Sequence, residues 1–324
     1  MEKIPHIRYT VPMTTTGLEY VPLTSHIGYF IGATNIGIIT EKQGEKTRLW
    51  LIDTPNTIAL TKFMYETLQA IYDNLELVAI INTHSHADHC GGNVFLQERT
   101  GCQIWATKGE SVLMELPILQ SALVYGGSPI KDIESKYLKA DPCTVDHILT
   151  EAIRFDLSET LSVTPVSLPG HYIDMAAMIV SDKTDGKQVA FLADGISGRN
   201  IIKRYWIQYL FNEQQFKQSL LKIKEIKADF YVPGHGDMVT EIEGLVELNL
   251  LAVLETEAMI EDELTKPLTF EEILKAVADR NNIPLKVSQF ELIGSTVRSY
   301  LSSLYAAGKI TYEITENRML WKKA

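Results

Sequence analysis

The stretch Thr83-His84-Ser85-His86-Ala87-Asp88-His89-Cys90-Gly91-Gly92, residues 83–92, decides how this chain folds and what it carries. It packs four potential metal ligands into six positions, and three of the chain's eight histidines fall between His84 and His89. The residues just before it, Leu75 to Ile81 (LELVAII), form a continuously apolar, β-branched-rich run that predicts a buried strand. Polar residues take over at Asn82, so the ligands sit on a loop leaving the strand's carboxyl end. Gly91-Gly92 frees the backbone for a tight turn, and Asn93 to Thr100 (NVFLQERT) can continue as a helix.

Three more residues lie in similar settings further along. His171 follows Leu168-Pro169-Gly170 and precedes the apolar run Met175 to Val180, which places it in a turn between two strands. Asp194 ends the run Gln188 to Ala193 (QVAFLA) and precedes Gly195. His235 sits between two glycines at the end of a short apolar strand, in Tyr231-Val232-Pro233-Gly234-His235-Gly236.

With these residues together, the chain resembles the metallo-β-lactamase superfamily of hydrolases from about Ile27 to Asp237, on the pattern His-x-His-x-Asp-His followed by separate His, Asp and His. The resemblance implies an α/β fold, an αββα sandwich with metals at one edge. It also implies a ligand set. His84, His86 and His171 would hold a first metal, Asp88, His89 and His235 a second, and Asp194 would bridge the two.

Elementary chemistry is consistent with that partition. Three neutral imidazoles suit zinc and leave an open coordination position, the mark of a catalytic site. Cys90, Cys102 and Cys143 are too few and too widely spaced for a thiolate cage. Two divalent ions are therefore expected, zinc by default, with iron or manganese able to use the same ligands. A water bridging such a pair loses a proton near neutral pH and becomes the nucleophile, with Asp88 placed to orient it and shuttle a proton. Asp53, after the strand-like Leu49 to Ile52, can fix a ligand imidazole from behind or serve as a turn residue before Thr54-Pro55-Asn56. Cys90 reads as a small packing residue.

Within the resembled superfamily, Asp194 in an Ala-Asp-Gly context points away from the zinc β-lactamases, which lack the bridging aspartate. His86 points away from the di-iron oxygen reductases, which carry glutamate there. Single-iron sulfur dioxygenases keep a similar loop and are weakened less. The pattern fits best with binuclear hydrolases resembling glyoxalase II, lactonases and related esterases.

Composition bounds the rest. A 324-residue chain with 45% hydrophobic residues can bury a large core. No apolar run approaches the roughly 20 residues needed to span a bilayer, and Met1 to Thr16 lacks a signal-like pattern. A cytoplasmic location and no membrane partner are the default expectations. The net charge of −11 disfavours nucleic acid and favours a small-molecule substrate. A homo-oligomer is left open. No GxGxxG or Walker pattern supports a nucleotide cofactor.

Two segments flank the ligands. Lys108 to Asp156 is a long insertion that reads as a lid or a surface excursion, with a helical tendency over Ile130 to Ala140 and with His147 as a non-ligand. Ser197 to Phe211 brings Arg199, Lys203, Arg204, Tyr205, Trp206 and Tyr209 behind Asp194, as a pocket wall or as an amphipathic helix on the core. A catalytic domain over residues 1–264 is expected, closed by a connecting helix over 242–264 and followed by a small module over 265–324. Thr269 there looks like an N-cap. Helices over Phe270 to Arg280, near Leu285 to Leu292 and over Ser295 to Ala307, plus a terminal hairpin, resemble a winged helix. Such modules occur behind lactamase-like hydrolases, including some that cut RNA, but nine acidic and nine basic residues from Glu261 to Ala324 give no basic face.

The expected function is a binuclear metal-dependent hydrolase acting on a small ester, thioester or lactone. A metal-dependent phosphodiesterase or endoribonuclease, and a non-catalytic metal-binding interaction protein, are the alternatives.

Overall fold

The structure, a computed structural model, describes residues 18–134 and 139–324. The expectation for Met1 to Thr16, and part of that for Ile130 to Ala140, lie outside these residues.

Two sheets form the centre. The first runs in the order β1 (Glu19–Pro22), β2 (Ile27–Ile31), β3 (Ile36–Gln43), β4 (Lys46–Ile52), β5 (Leu75–Ile81), β6 (Gln103–Thr107) and β7 (His147–Leu149). The second runs β12 (Phe230–Pro233), β11 (Lys187–Ala193), β10 (Ala176–Asp182), β9 (Leu161–Ser167) and β8 (Phe155–Asp156).

Side-chain alternation dictates the layers, because successive strand residues face opposite sides. On β4, Trp50 and Ile52 join a core with Val163, Met178 and Phe191 of the other sheet, while Leu49 and Leu51 face Met64, Leu68 and Leu96 on the outside. On β11, Val189 and Phe191 point to the inter-sheet core while Ala190 and Leu192 point out to Phe216, Leu220 and Ile223. Helices α1 (Ile58–Ile71) and α3 (Asn93–Thr100), the latter preceded by the one-turn α2 (Ala87–Cys90), cover the first sheet. On the second sheet lie α7 (Glu213–Glu225) and α8 (Glu243–Glu263). This is the expected αββα sandwich.

Strand direction then gathers the site. The β4–β5 and β11–β12 pairs are parallel, and β9 and β11 are both antiparallel to β10, so β9, β11 and β12 end at one rim. Each ligand segment leaves such a carboxyl end.

The insertion supplies α4 (Lys108–Glu115), α5 (Ile118–Tyr125) and a 3-10 turn over Lys131–Ile133 before β7. His147 lies exposed on β7 against Trp105 and Phe155, away from the other histidines. Within Ser197 to Phe211 only α6 (Arg199–Arg204) is helical, so the amphipathic helix expected for the whole segment ends before Trp206 and Tyr209.

After α8 the chain forms α9 (Phe270–Arg280), α10 (Val287–Ala306) and the hairpin β13 (Ile310–Thr315) and β14 (Arg318–Lys323). The two helices expected over Leu285–Leu292 and Ser295–Ala307 are one, α10. Gly294, between those two expected segments, lets α10 pass close to the Phe270 ring, 3.3 Å from where a Cβ would stand. A Thr269–Glu272 capping box starts α9, and Leu268 pairs with Trp321 beside the hairpin. Ile273, Val277, Val297 and Leu301 belong to the same hydrophobic core as Leu192 and Phe216.

Candidate metal centre

The seven side chains singled out by sequence converge at the sandwich rim. His84 Nε2 and His171 Nε2 each stand 3.1 Å from His86 Nδ1. Three nitrogens about 2.0–2.1 Å from a tetrahedral zinc would be roughly 3.3 Å apart, so this spacing fits one cation. The second group joins His89 Nε2, Asp88 and His235 Nε2, with Asp88 Oδ2 at 4.0 Å from His89 and 3.3 Å from His235. Asp194 stands between the groups. Its Oδ2 lies 3.3 Å from both His171 Nε2 and His235 Nε2, and its Oδ1 lies 3.3 Å from His89 Nε2.

Hydrogen bonds behind the rings set which nitrogen faces inward. His89 Nδ1 donates to Asp53 Oδ2 at 2.8 Å, and His235 Nδ1 donates to the Ala33 carbonyl at 2.5 Å. The Thr83 hydroxyl donates to Asp53 at 2.7 Å and can therefore accept from His84 Nδ1, 3.1 Å away. Each of these rings thereby turns its Nε2 into the site. Two fully enclosed atoms, His89 Nε2 and Asp194 Oδ1, have no hydrogen-bond partner among the described residues. A buried acceptor left unpaired is costly, and a cation would satisfy both.

Electrostatics divides the site the same way. Burial, with the neighbouring imidazoles, pushes His84 far below the ordinary histidine range and His86 down to about 3, so the first group is a set of neutral bases. Burial lowers His171 too, against the pull of Asp194. In the second group burial acts against charge but is outweighed. Asp194 and Asp88 hold His89 up to about 10 and His235 well above the ordinary value, while those rings hold both carboxyls low. Two carboxylates thus favour positive charge in this second group.

Local backbone geometry serves the ligands. Ala193 adopts φ 49°, a left-handed conformation costing roughly 1–2 kcal/mol for a non-glycine residue, which turns Asp194 off the strand. Gly234 packs so tightly that a Cβ would stand 2.3 Å from Asp194 Oδ1. Asn35 braces this turn through its side-chain amide, donating to the Pro233 and Gly236 carbonyls.

Several residues here had escaped the sequence reading. Glu110 of α4 is fully buried and ties two ligand segments together. Its Oε2 accepts from the Ser85 N–H and hydroxyl, and its Oε1 accepts from the Asp174 N–H. Gln120 of α5 adds a bond to the Ser85 carbonyl at 2.7 Å. The start of the insertion is thus a brace beneath the ligand loop. Glu110 carried one faint signal, sharing a helical face with Leu113 and Met114. Tyr172 packs its ring 4.2 Å from His86, and Tyr209 lies 5.6 Å and 5.7 Å from His86 and His171, so Tyr209 walls the first group. Asp53 sits at a left-handed bend and uses its carboxylate to brace His89, and Cys90 is a buried packing residue whose thiol donates to the Ser85 carbonyl.

An αββα sandwich with a buried His/Asp cluster at its rim defines a class of metal-dependent hydrolases. The model of the metallo-beta-lactamase superfamily matches residues 32–235, and the chain belongs to that superfamily, whose members bind divalent metals, usually zinc. No curated protein matches the chain. A beta-lactamase domain protein from Burkholderia ambifaria is similar in fold, with a TM-score of 0.72 at 15% identity over 94% of this chain and 95% of its own. A metallo-beta-lactamase family protein from Thermus thermophilus gives 0.67 at 16% identity over 95% and 98%. The subclass B3 metallo-beta-lactamase BJP-1 of Bradyrhizobium japonicum gives 0.53 at 18% identity over 90% and 96%. Among the described residues no helix is long and apolar enough to cross a membrane.

Proposed function

We propose that this protein is a binuclear metallohydrolase that cleaves a small ester, thioester or lactone. The observation that carries the reading is Asp194 Oδ2, equidistant at 3.3 Å from a nitrogen of each ligand group. A carboxylate so placed can hold two cations against their mutual repulsion. His84, His86 and His171 would hold one and Asp88, His89 and His235 the other, with zinc as the default occupant and iron or manganese as competitors. When bound, such ions supply Lewis acidity and bring the pKa of water down toward 7.

The chain's own groups do the remainder. Asp88 lies partly open to solvent beside His235, where its carboxylate can orient the attacking water and accept its proton. Tyr172 packs behind His86 and keeps water from it, while the half-buried Tyr209 can offer an apolar face to an acyl chain. Asp53 and Thr83 keep the imidazoles in register as charge develops. The acidic balance of the chain, −11, favours a small neutral or singly charged substrate over a polyanion.

The test combines metal analysis of the purified protein with a panel of thioesters, lactones, phosphodiesters and short RNAs. Two metal equivalents and turnover of an acyl substrate, both lost in His84→Ala, are expected. Acyl hydrolysis that survives His84→Ala would sink the mechanism, and turnover of only phosphodiesters would sink the substrate class.

A further inference from the structure

A polar cleft on α10 is not used by the reaction just described. A cavity of about 310 Å³ lies between α10 and the start of α7, bordered by Phe211, Asn212, Gln214 and a serine-rich face of α10 on which Arg298 is the only charged group. Ser295, Ser299 and Ser302 recur at spacings of four and three, so helical geometry puts them on one side of α10 with Arg298 among them. Ser299 is already engaged, accepting the Glu213 N–H at 2.7 Å, and Ser295 faces Tyr209, which leaves Ser302 as the hydroxyl for an occupant.

Arg298 is preorganised. Its guanidinium stacks 3.6 Å above the Phe270 ring, and no carboxylate lies within 4.0 Å of it among the described residues. In a chain of net charge −11, an arginine held flat, unpaired and flanked by hydroxyls and amides is a ready partner for an oxyanion. The adjoining cavity, about 550 Å³, shares Arg298 and Ser302 and carries both Glu271 and Arg318, whereas the lining of the first holds Arg298 and no carboxylate. The cleft also abuts the metal centre. Phe211 and Asn212 donate backbone hydrogen bonds to the His171 and Gly170 carbonyls. Tyr209, which walls the first histidine group, lies beside Ser295.

We propose that this cleft binds the anionic end of a small molecule, a carboxylate or a phosphate, through the Arg298 fork. The site uses none of the metal ligands and does not depend on which bond they cleave. Equilibrium dialysis of the full-length protein with radiolabelled inorganic phosphate and, separately, radiolabelled succinate tests it. Saturable binding of at least one is expected, and which one binds distinguishes a phosphate from a carboxylate occupant. Arg298→Gln should weaken binding by about tenfold or more, the loss of a charge-assisted contact. Because Arg298 also packs on Phe270, Ser302→Glu is the companion variant: it sets a carboxylate one turn from Arg298 on an exposed position and should abolish binding without disturbing the core. His84→Ala should retain binding. No saturable binding of either anion, or loss in His84→Ala with retention in Arg298→Gln, would overturn the proposal, the latter by placing the anion at the metal centre.

Discussion

Asp53 orients His89 directly and His84 through Thr83, so a single buried carboxylate fixes one imidazole from each ligand group. Asp53 itself sits at φ 65°, a conformation asparagine also tolerates. Asp53→Asn therefore leaves the backbone intact but replaces one acceptor oxygen with a donor, which must face either Thr83 N–H or His89 Nδ1–H. Zinc affinity is expected to fall by about 10–100-fold, as for other partners lying behind metal ligands. Competition against a chromogenic chelator measures it, and unchanged affinity would show that Asp53 does not tune the site.

Gly234 gives a steric prediction. A methyl group at this position would overlap Asp194 Oδ1 and the Ala193 carbonyl carbon, 2.3 Å and 2.9 Å away. Gly234→Ala is expected to displace the bridging carboxylate and reduce bound metal from two equivalents toward one, with the core strands unaffected. Metal content by plasma emission and far-ultraviolet dichroism together separate this outcome from misfolding.

Glu110 makes stability depend on pH. Burial pushes its carboxyl up to about 7 despite three hydrogen-bond donors. The folded value lies above the unfolded one, so the native state binds the extra proton and stability is lost as pH rises from about 4.5 through about 7. The ceiling on this loss is about 3 kcal/mol. Glu110→Gln should remove that part of the slope while losing one hydrogen bond at every pH. Urea unfolding of both proteins at pH 5 and pH 8 checks it, and parallel slopes would contradict the assignment.

Metal removal should destabilise the fold, since the ligands come from four separated segments that a cation ties together. At a free metal concentration of about 1,000 times Kd the bound ion contributes about 4 kcal/mol per site. Chelation is expected to lower Tm and readdition of zinc to restore it, and calorimetric scans record both.

How far the sequence revealed this arrangement depends on what kind of residue is asked about. The ligands were legible because each terminates an apolar run, as Asp194 ends QVAFLA, and strand ends in a sandwich meet at rims. The sandwich itself followed from those runs and the resemblance they carry. Braces were not legible: Asn35 and Glu110 act on turns 198 and 64 residues away, and no local periodicity encodes such a pairing. The two short helices expected across Gly294 merged for a related reason. Glycine weakens a helix by roughly 1 kcal/mol, but here the close passage of the Phe270 ring favours it, a tertiary effect invisible in the segment alone.

The backbone N–H of Leu210 binds the Thr296 hydroxyl and that of Glu213 binds Ser299, each pairing residues 86 apart. Between them they anchor the segment that carries Tyr209 against the histidines. During synthesis that segment emerges long before its partners do, and until α10 exists its buried amides have nothing to bind. The pocket is therefore assembled in reverse of the ligand order: His84 to His89 are made early, yet the surface they work against is finished only when α10 docks. A ribosome-bound intermediate could acquire metal and still lack the wall that shapes its substrate.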